Sequence, residues 1–180
     1  MQFRTVIKSY TMKKTTFILI VTALFAIGIS SCKKSDGGTT TTYASTQGRV
    51  TATGGITFDV TGASTTFTRK TTSTVDSIYI GAATSLTTTT VTGAGFVLRN
   101  ISTPGTYSLS GNGTSQNAIA GYYAGTANAD TYISSLTSVG PGTITISAIS
   151  TTSIEGTYTT KVTNYLGTAI SFSGTFKGTF

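Results

Sequence analysis

The groups in this 180-residue chain that could do chemistry are few: five acidic side chains, one cysteine and nine tyrosines, with no histidine and no tryptophan. Without histidine the commonest general base and the commonest borderline metal ligand are both missing, which excludes Ser-His-Asp triads, Cys-His pairs and His-based zinc sites. No cofactor or metal site is expected. Among the carboxylates, Asp59, Asp76, Asp130 and Glu155 are the candidates for acid-base work, and a glycoside hydrolase needs only two of them ~5 to 9.5 Å apart across a cleft. Asp59 and Glu155 fall on the polar phase of alternating segments, which reads as solvated surface. Gly121-Tyr-Tyr-Ala-Gly125 lacks the lysine and the strand-to-helix setting of a phosphate loop. Tyr122 and Tyr123 are adjacent, so one of them must point outward if they lie on a strand, and Tyr132 and Tyr165 fall near loop ends. These four are the candidate ligand contacts, since an exposed phenol ring can stack on a sugar face.

The lone cysteine has a distinctive position. Met12-Lys-Lys-Thr-Thr is followed by a nearly unbroken apolar run from Phe17 to Ile29 and then by Ser30-Ser31-Cys32. A charged start, a short apolar run and small residues before a cut make a secretory signal, and thirteen apolar residues fall short of the ~20 needed to span a bilayer. Ile29-Ser30-Ser31-Cys32 resembles the lipobox of bacterial lipoproteins, with Ile29 where Leu is commoner and Ser31 where Gly or Ala is commoner. The resemblance implies a diacylglyceryl and fatty-acyl (palmitate) modification at Cys32, with Cys32 as the first residue of the mature protein. Residues 1–31 are then the signal peptide, with Met12 as an alternative start. Lys33 follows the cysteine, which by analogy with bacterial sorting implies the outer membrane, on either its periplasmic or its surface face.

Export also changes the charge argument. The whole chain carries +7, but Arg4, Lys8, Lys13 and Lys14 leave with the signal, so eight cations then face five acids. The remaining +3 is scattered over Arg49, Arg69, Lys70, Arg99, Lys161 and Lys177 with no basic stripe, so nucleic acid is not an expected partner.

Residues 32–47 contain almost nothing that could be buried and are expected to form a flexible tether. From Gly48 to Phe180 the texture changes to short runs of β-branched and aromatic residues broken by glycine, with no helical periodicity. Ile56, Phe58 and Val60 alternate with Thr57 and Asp59, and Thr61-Gly62 then turns the chain into Thr65 to Arg69. Further runs are Val75 to Ile80, Leu86 to Val91, Phe96 to Ile101, Thr106 to Ser110, Ala118 to Gly125 and Thr131 to Leu136. The clearest pattern comes last. Ile144, Ile146 and Ala148, then Ile154, Gly156, Tyr158 and Val162, then Ile170, Phe172, Phe176 and Phe180 mark the inner faces of three strands of an antiparallel meander. Gly-Thr pairs at Gly105, Gly142, Gly156 and Gly174 read as strand openings. With one cysteine there is no intrachain disulfide, and ~135 residues suffice for one core. The expectation is a single all-β antiparallel domain over 48–180, a β-sandwich or a flattened β-barrel with a C-terminal meander.

Ile56-Thr-Phe-Asp-Val, Pro104-Gly-Thr-Tyr-Ser-Leu, Gly142-Thr-Ile-Thr-Ile-Ser, Ile154-Glu-Gly-Thr-Tyr and Ser173-Gly-Thr-Phe are similar to segments of the small, uncharacterised β-rich lipoproteins of Bacteroidota. That resemblance implies an all-β fold at the outer membrane and no particular activity. Asp76-Ser77-Ile78 resembles the acceptor motif for O-glycosylation of exported Bacteroidota proteins, which makes Ser77 a candidate modified residue. The functional expectation is a lipid-anchored envelope protein, attached to the membrane through Cys32 and not an enzyme, that binds a ligand or supports an assembly. A sandwich would present tyrosines and loops to a glycan, whereas a barrel would hold a small apolar ligand inside. The enzymatic alternative is a glycoside hydrolase.

Overall fold

The alternation of β-branched and aromatic residues with small polar ones becomes strand after strand. The computed structural model describes residues 41–45, 48–72, 75–86, 91–110, 117–125, 131–134 and 140–180. The signal segment, Cys32 and Asp130 lie outside these residues. The strands are β1 (Thr41–Ser45), β2 (Gly48–Gly54), β3 (Phe58–Thr61), β4 (Thr65–Thr71), β5 (Asp76–Leu86) and β6 (Val91–Arg99). They continue with β7 (Gly105–Ser108), β8 (Asn117–Tyr123), β9 (Thr131–Ile133), β10 (Gly142–Ile149), β11 (Ser153–Thr163) and β12 (Ala169–Thr179). Among the described residues there is no α-helix, and no helix long and apolar enough to cross a membrane.

All twelve strands join one antiparallel sheet in the order β1-β4-β5-β6-β8-β9-β11-β12-β2-β3, with β10 paired to β11 and β7 paired to β10. The sheet curls until β2 meets β4 and β3 meets β5, without a hydrogen-bonded ladder between them. The result is an all-β flattened barrel, nearly closed, with the expected meander β10-β11-β12 along one side. Phe67 of β4 bridges the open seam: its ring lies over Gly48 of β2 and Gly178 of β12, two glycines that pair with each other. Any side chain at either glycine would collide with that ring.

The core is built by the inward phase of each strand. Phe67, Ile78, Ile80, Phe96, Leu98, Ile144, Ile146, Tyr158, Val162, Phe172 and Phe176 share one apolar cluster. Burial of such side chains, at about 1.5 to 3 kcal/mol each, is the main favourable term for the fold. Buried Ser134 is satisfied: its Oγ accepts from the Ala120 amide at 2.9 Å and donates to the Leu109 carbonyl at 2.7 Å. Thr160, inward on β11, donates to the Pro141 carbonyl.

Several expectations need correction. Thr41–Ser45, assigned from the sequence to the tether, pairs with β4 from Thr71 to Phe67. The reason is that the outer edge of β4 offers a row of unpaired backbone groups, and a threonine-rich segment next to it can satisfy them. Leu86 and Val91, expected within one run, fall on two strands and are partners at the end of the β5-β6 hairpin; the residues between them lie outside the described ones. Ala148 is exposed, because the register shifts between Ile146 and Ala148 and inverts the inward phase, so that Ile149 packs against the core instead. Such a bulge adds one residue to one strand and reverses the facing of the residues after it. Gly105 and Gly142 do open strands, with positive φ at both. Gly156 and Gly174 instead lie inside β11 and β12, where aromatic side chains from the opposite strand, Phe176 and Tyr158, occupy the space a side chain would take.

Candidate functional site

The described carboxylates each meet a cation, in separate places. On the outer face, Asp59 accepts from Arg49 Nε at 2.8 Å and Nη2 at 2.5 Å. The two-pronged hydrogen bond from Arg49 holds the Asp59 carboxyl below its usual range and raises the guanidinium in turn. Glu155 faces Lys177 directly across β11 and β12, with Nζ 2.8 Å from Oε2, and this hydrogen bond raises the lysine. Lys177 also lies opposite Arg49, so Glu155, Lys177, Arg49 and Asp59 form a ladder across four neighbouring strands with acids at its ends. Three strand spacings, roughly 14 Å, separate the two acids. That exceeds the separation of a glycosidase pair.

Asp76 is different, because it points inward at one end of the barrel. It takes hydrogen bonds from Arg69 Nε at 3.1 Å, Arg69 Nη2 at 2.6 Å and Thr71 Oγ1 at 3.1 Å. Arg69 Nη1 donates to the Ser150 carbonyl at 2.7 Å, and the guanidinium lies 5.9 Å from the centre of the Phe180 ring. Asn100, in a left-handed conformation with φ 54°, closes on the same strand end. Its amide donates to the Asp76 carbonyl and its Oδ1 accepts from the Asp76 amide. These contacts tie β4 and β5 to the β10-β11 turn and the end of β12. Among the described residues no three Cys, Asp or Glu side chains gather as a metal site would require.

The four tyrosines do not make one platform. Tyr122 and Tyr132 are partners on β8 and β9, with ring centroids 5.9 Å apart, and Tyr122 meets Phe172 edge-on at 6.2 Å. Both pack against the core, and burial, with the neighbouring Tyr132 phenol second, raises the Tyr122 phenol above its usual value. Tyr123 follows on the opposite face of β8, beside Gly93. Tyr165 is 48 % exposed and stands next to Leu166, 67 % exposed, on the turn between β11 and β12. Asn164 fixes that turn: its Oδ1 accepts from the amides of Leu166 and Thr168. Strand alternation is what separates Tyr122 from Tyr123, and pairing with Tyr122 is what draws Tyr132 inward. Ser77 is only 8 % exposed, within β5 between Lys70 and Arg99, and the carboxylate of Asp76 beside it is held by Arg69. Its hydroxyl therefore sits below its neighbours and not on an open loop.

The most regular surface is one that single-strand reading of the sequence missed. Across β7, β10, β11, β12 and β2 the outward positions form two adjoining rows, Thr106-Thr145-Thr157-Thr175-Thr51 and Ser108-Thr143-Thr159-Ser173-Thr53. Hydroxyls bond to one another within the first row, at 2.9 Å for both Thr106 with Thr145 and Thr51 with Thr175. The signal was present as repeated Thr-x-Thr and Ser-x-Thr triplets, but only the strand register shows that they are neighbours. No protein-family model, no curated protein and no solved structure matches this chain.

Proposed function

We propose that this chain is a lipid-anchored envelope protein, held at the outer membrane through an acyl group on Cys32, whose β domain is a non-catalytic binding or structural module. The observation that favours a non-catalytic role is that Asp59, Asp76 and Glu155 are each bound to their own cation, at separate places on the barrel. A catalytic pair would need two carboxyl groups facing one gap. The two outward rows across β7, β10, β11, β12 and β2 are lined by hydroxyls and carry no charge of their own, which suits a polyhydroxylated ligand such as a glycan.

Two measurements test the proposal in separate parts. Metabolic labelling with a fatty acid tests the anchor: the label and the membrane fractionation should both disappear in Cys32→Ser, and their survival sinks the anchor. A glycan array probed with the mature chain tests the module, with binding lost when Thr159, at the middle of its row, is replaced by Glu. Glycan hydrolysis abolished by Asp130→Asn would instead establish the hydrolase.

A further inference from the structure

We propose that the end of the barrel at which β1 begins docks on anionic phospholipid headgroups of the anchoring membrane, through Lys70 and Arg99; the inference rests on the anchor at Cys32. Lys70, Ser77 and Arg99 form one outward row across β4, β5 and β6. Lys70 is one residue from the end of β4, and Arg99 is the last residue of β6. Both are exposed, and neither makes an ion pair among the described residues. Arg49, Arg69 and Lys177, by contrast, are already paired with acids. The nearest carboxylate to the row, Asp76, points to the inner face and is held by Arg69. Two unpaired cations, two strand spacings or roughly 10 Å apart, thus remain on the rim.

The position of this rim decides which surface it meets. Thr41 pairs with Thr71 at this same end, so the covalent path from the anchor enters here. Eight residues lie between Cys32 and Thr41, and the nine Cα-to-Cα steps span at most about 32 Å whatever their conformation. The exposed Tyr165-Leu166 turn is a competing candidate for lipid, but it lies at the other end of β11 and β12. Those strands have eleven residues each, or about 37 Å at 3.4 Å per residue. When the barrel stands on the Lys70-Arg99 rim, where the chain from the anchor enters, that turn is held roughly 37 Å farther from the leaflet. An anionic leaflet attracts such cations over about a Debye length.

The test uses the full mature, acylated chain with a fluorophore on Val75→Cys, in the turn between β4 and β5, or on Leu166→Cys at the far turn. Vesicles are phosphatidylcholine alone or phosphatidylcholine containing phosphatidylglycerol, with a headgroup-borne quencher. On the anionic vesicles the label at position 75 should be quenched and the label at 166 should not. Lys70→Gln and Arg99→Gln should each lower the ratio of docked to undocked chain about fivefold, the equivalent of ~1 kcal/mol per cation near an anionic surface. Added salt should act in the same direction, and Lys161→Gln should leave the ratio unchanged. Equal quenching at 75 and 166, equal quenching on neutral vesicles, or an effect of Lys161→Gln as large as the other two overturns the docking. A chain that sediments with vesicles but shows no charge-dependent quenching defeats the docking alone, whereas one that does not sediment with them defeats the anchor as well.

Discussion

Tyr158 and Gly174 face each other across β11 and β12, and the space a side chain on Gly174 would occupy is taken by the Tyr158 hydroxyl and the Thr51 carbonyl. The hydroxyl donates to that carbonyl at 2.6 Å, which links β11 to β2 over the top of β12. The ring is meanwhile packed against Phe96 at 4.5 Å and edge-on to Phe172 at 5.9 Å. Gly174→Val should therefore destabilise the fold by ~1 to 3 kcal/mol through overpacking. The obstacle is a backbone carbonyl, which cannot rotate away as a side-chain end would. Urea unfolding of the variant measures it, and an unchanged midpoint would show that β12 can shift away from β2.

The same tyrosine makes stability depend on pH at the alkaline end. Burial raises its phenol well above the ordinary value of 10.0. Between that value and the folded one, the folded state keeps a proton that the unfolded state releases, so stability falls as pH rises. The stabilisation is thus complete below about pH 10 and is lost progressively above it. Tyr158→Phe should cost about 0.5 to 1.5 kcal/mol at neutral pH for the lost hydrogen bond and should flatten the alkaline decline. A decline just as steep in Tyr158→Phe would assign it to other groups.

How much of this was legible depends on whether the information is local. Inward positions on β11 and β12 follow from simple alternation, and Tyr158, Phe172 and Phe176 lie where it puts them. Ala148 does not, because one extra residue in β10 leaves no mark on the local pattern yet inverts every later position. Thr41–Ser45 has the composition of a tether and becomes a strand only because β4 offers it an edge. The partners of Asp59 and Glu155 depend on hairpin register, which residue types alone do not specify. Whether Tyr122 and Tyr132 pack inward or face a ligand stays open in the sequence for the same reason, since nothing local announces that they pair with one another beside Phe172.

The ion pair at the barrel end should matter more than the two on the outer face. The side chains of Arg69 and Asp76 are only 15 % and 17 % exposed, and Arg69 also bonds to Ser150 and covers Phe180. Removing Asp76 leaves a half-buried guanidinium without its counter-charge, so Asp76→Ala should cost about 2 to 3 kcal/mol, in the range for hydrogen bonds between charged groups. The double variant Arg69→Met with Asp76→Leu should recover much of that. Arg49→Ala and Lys177→Ala should leave the thermal midpoint unchanged within error, because those pairs are solvated. Equal losses from all three sites would contradict the special place of Asp76.

Shortening the chain before Thr175 should abolish cooperative unfolding. Phe176 is fully buried, and its loss alone is worth ~3 to 5 kcal/mol. Phe180, under Arg69, goes with it, and β2 loses its pairing to β12 at Val50, Arg49 and Gly48. A small domain has only about 5 to 15 kcal/mol in total. A soluble truncation with a sharp thermal transition would make the end of β12 peripheral.

At the other end of the sheet the effect should be smaller and different in kind. β1 adds five cross-strand pairs to β4, worth about 1 to 5 kcal/mol at roughly 0.2 to 1 kcal/mol per pair. A chain starting at Gly48 should still fold, because the core strands are all retained, but the edge of β4 would then be bare. Exposed edges of this kind recruit other chains. Compared with a chain starting at Thr41, the shorter one should unfold at lower temperature and should also scatter more light as its concentration rises. If the two forms share a midpoint and stay equally monodisperse, β1 contributes neither stability nor protection, and the domain begins at Gly48 as composition alone suggests.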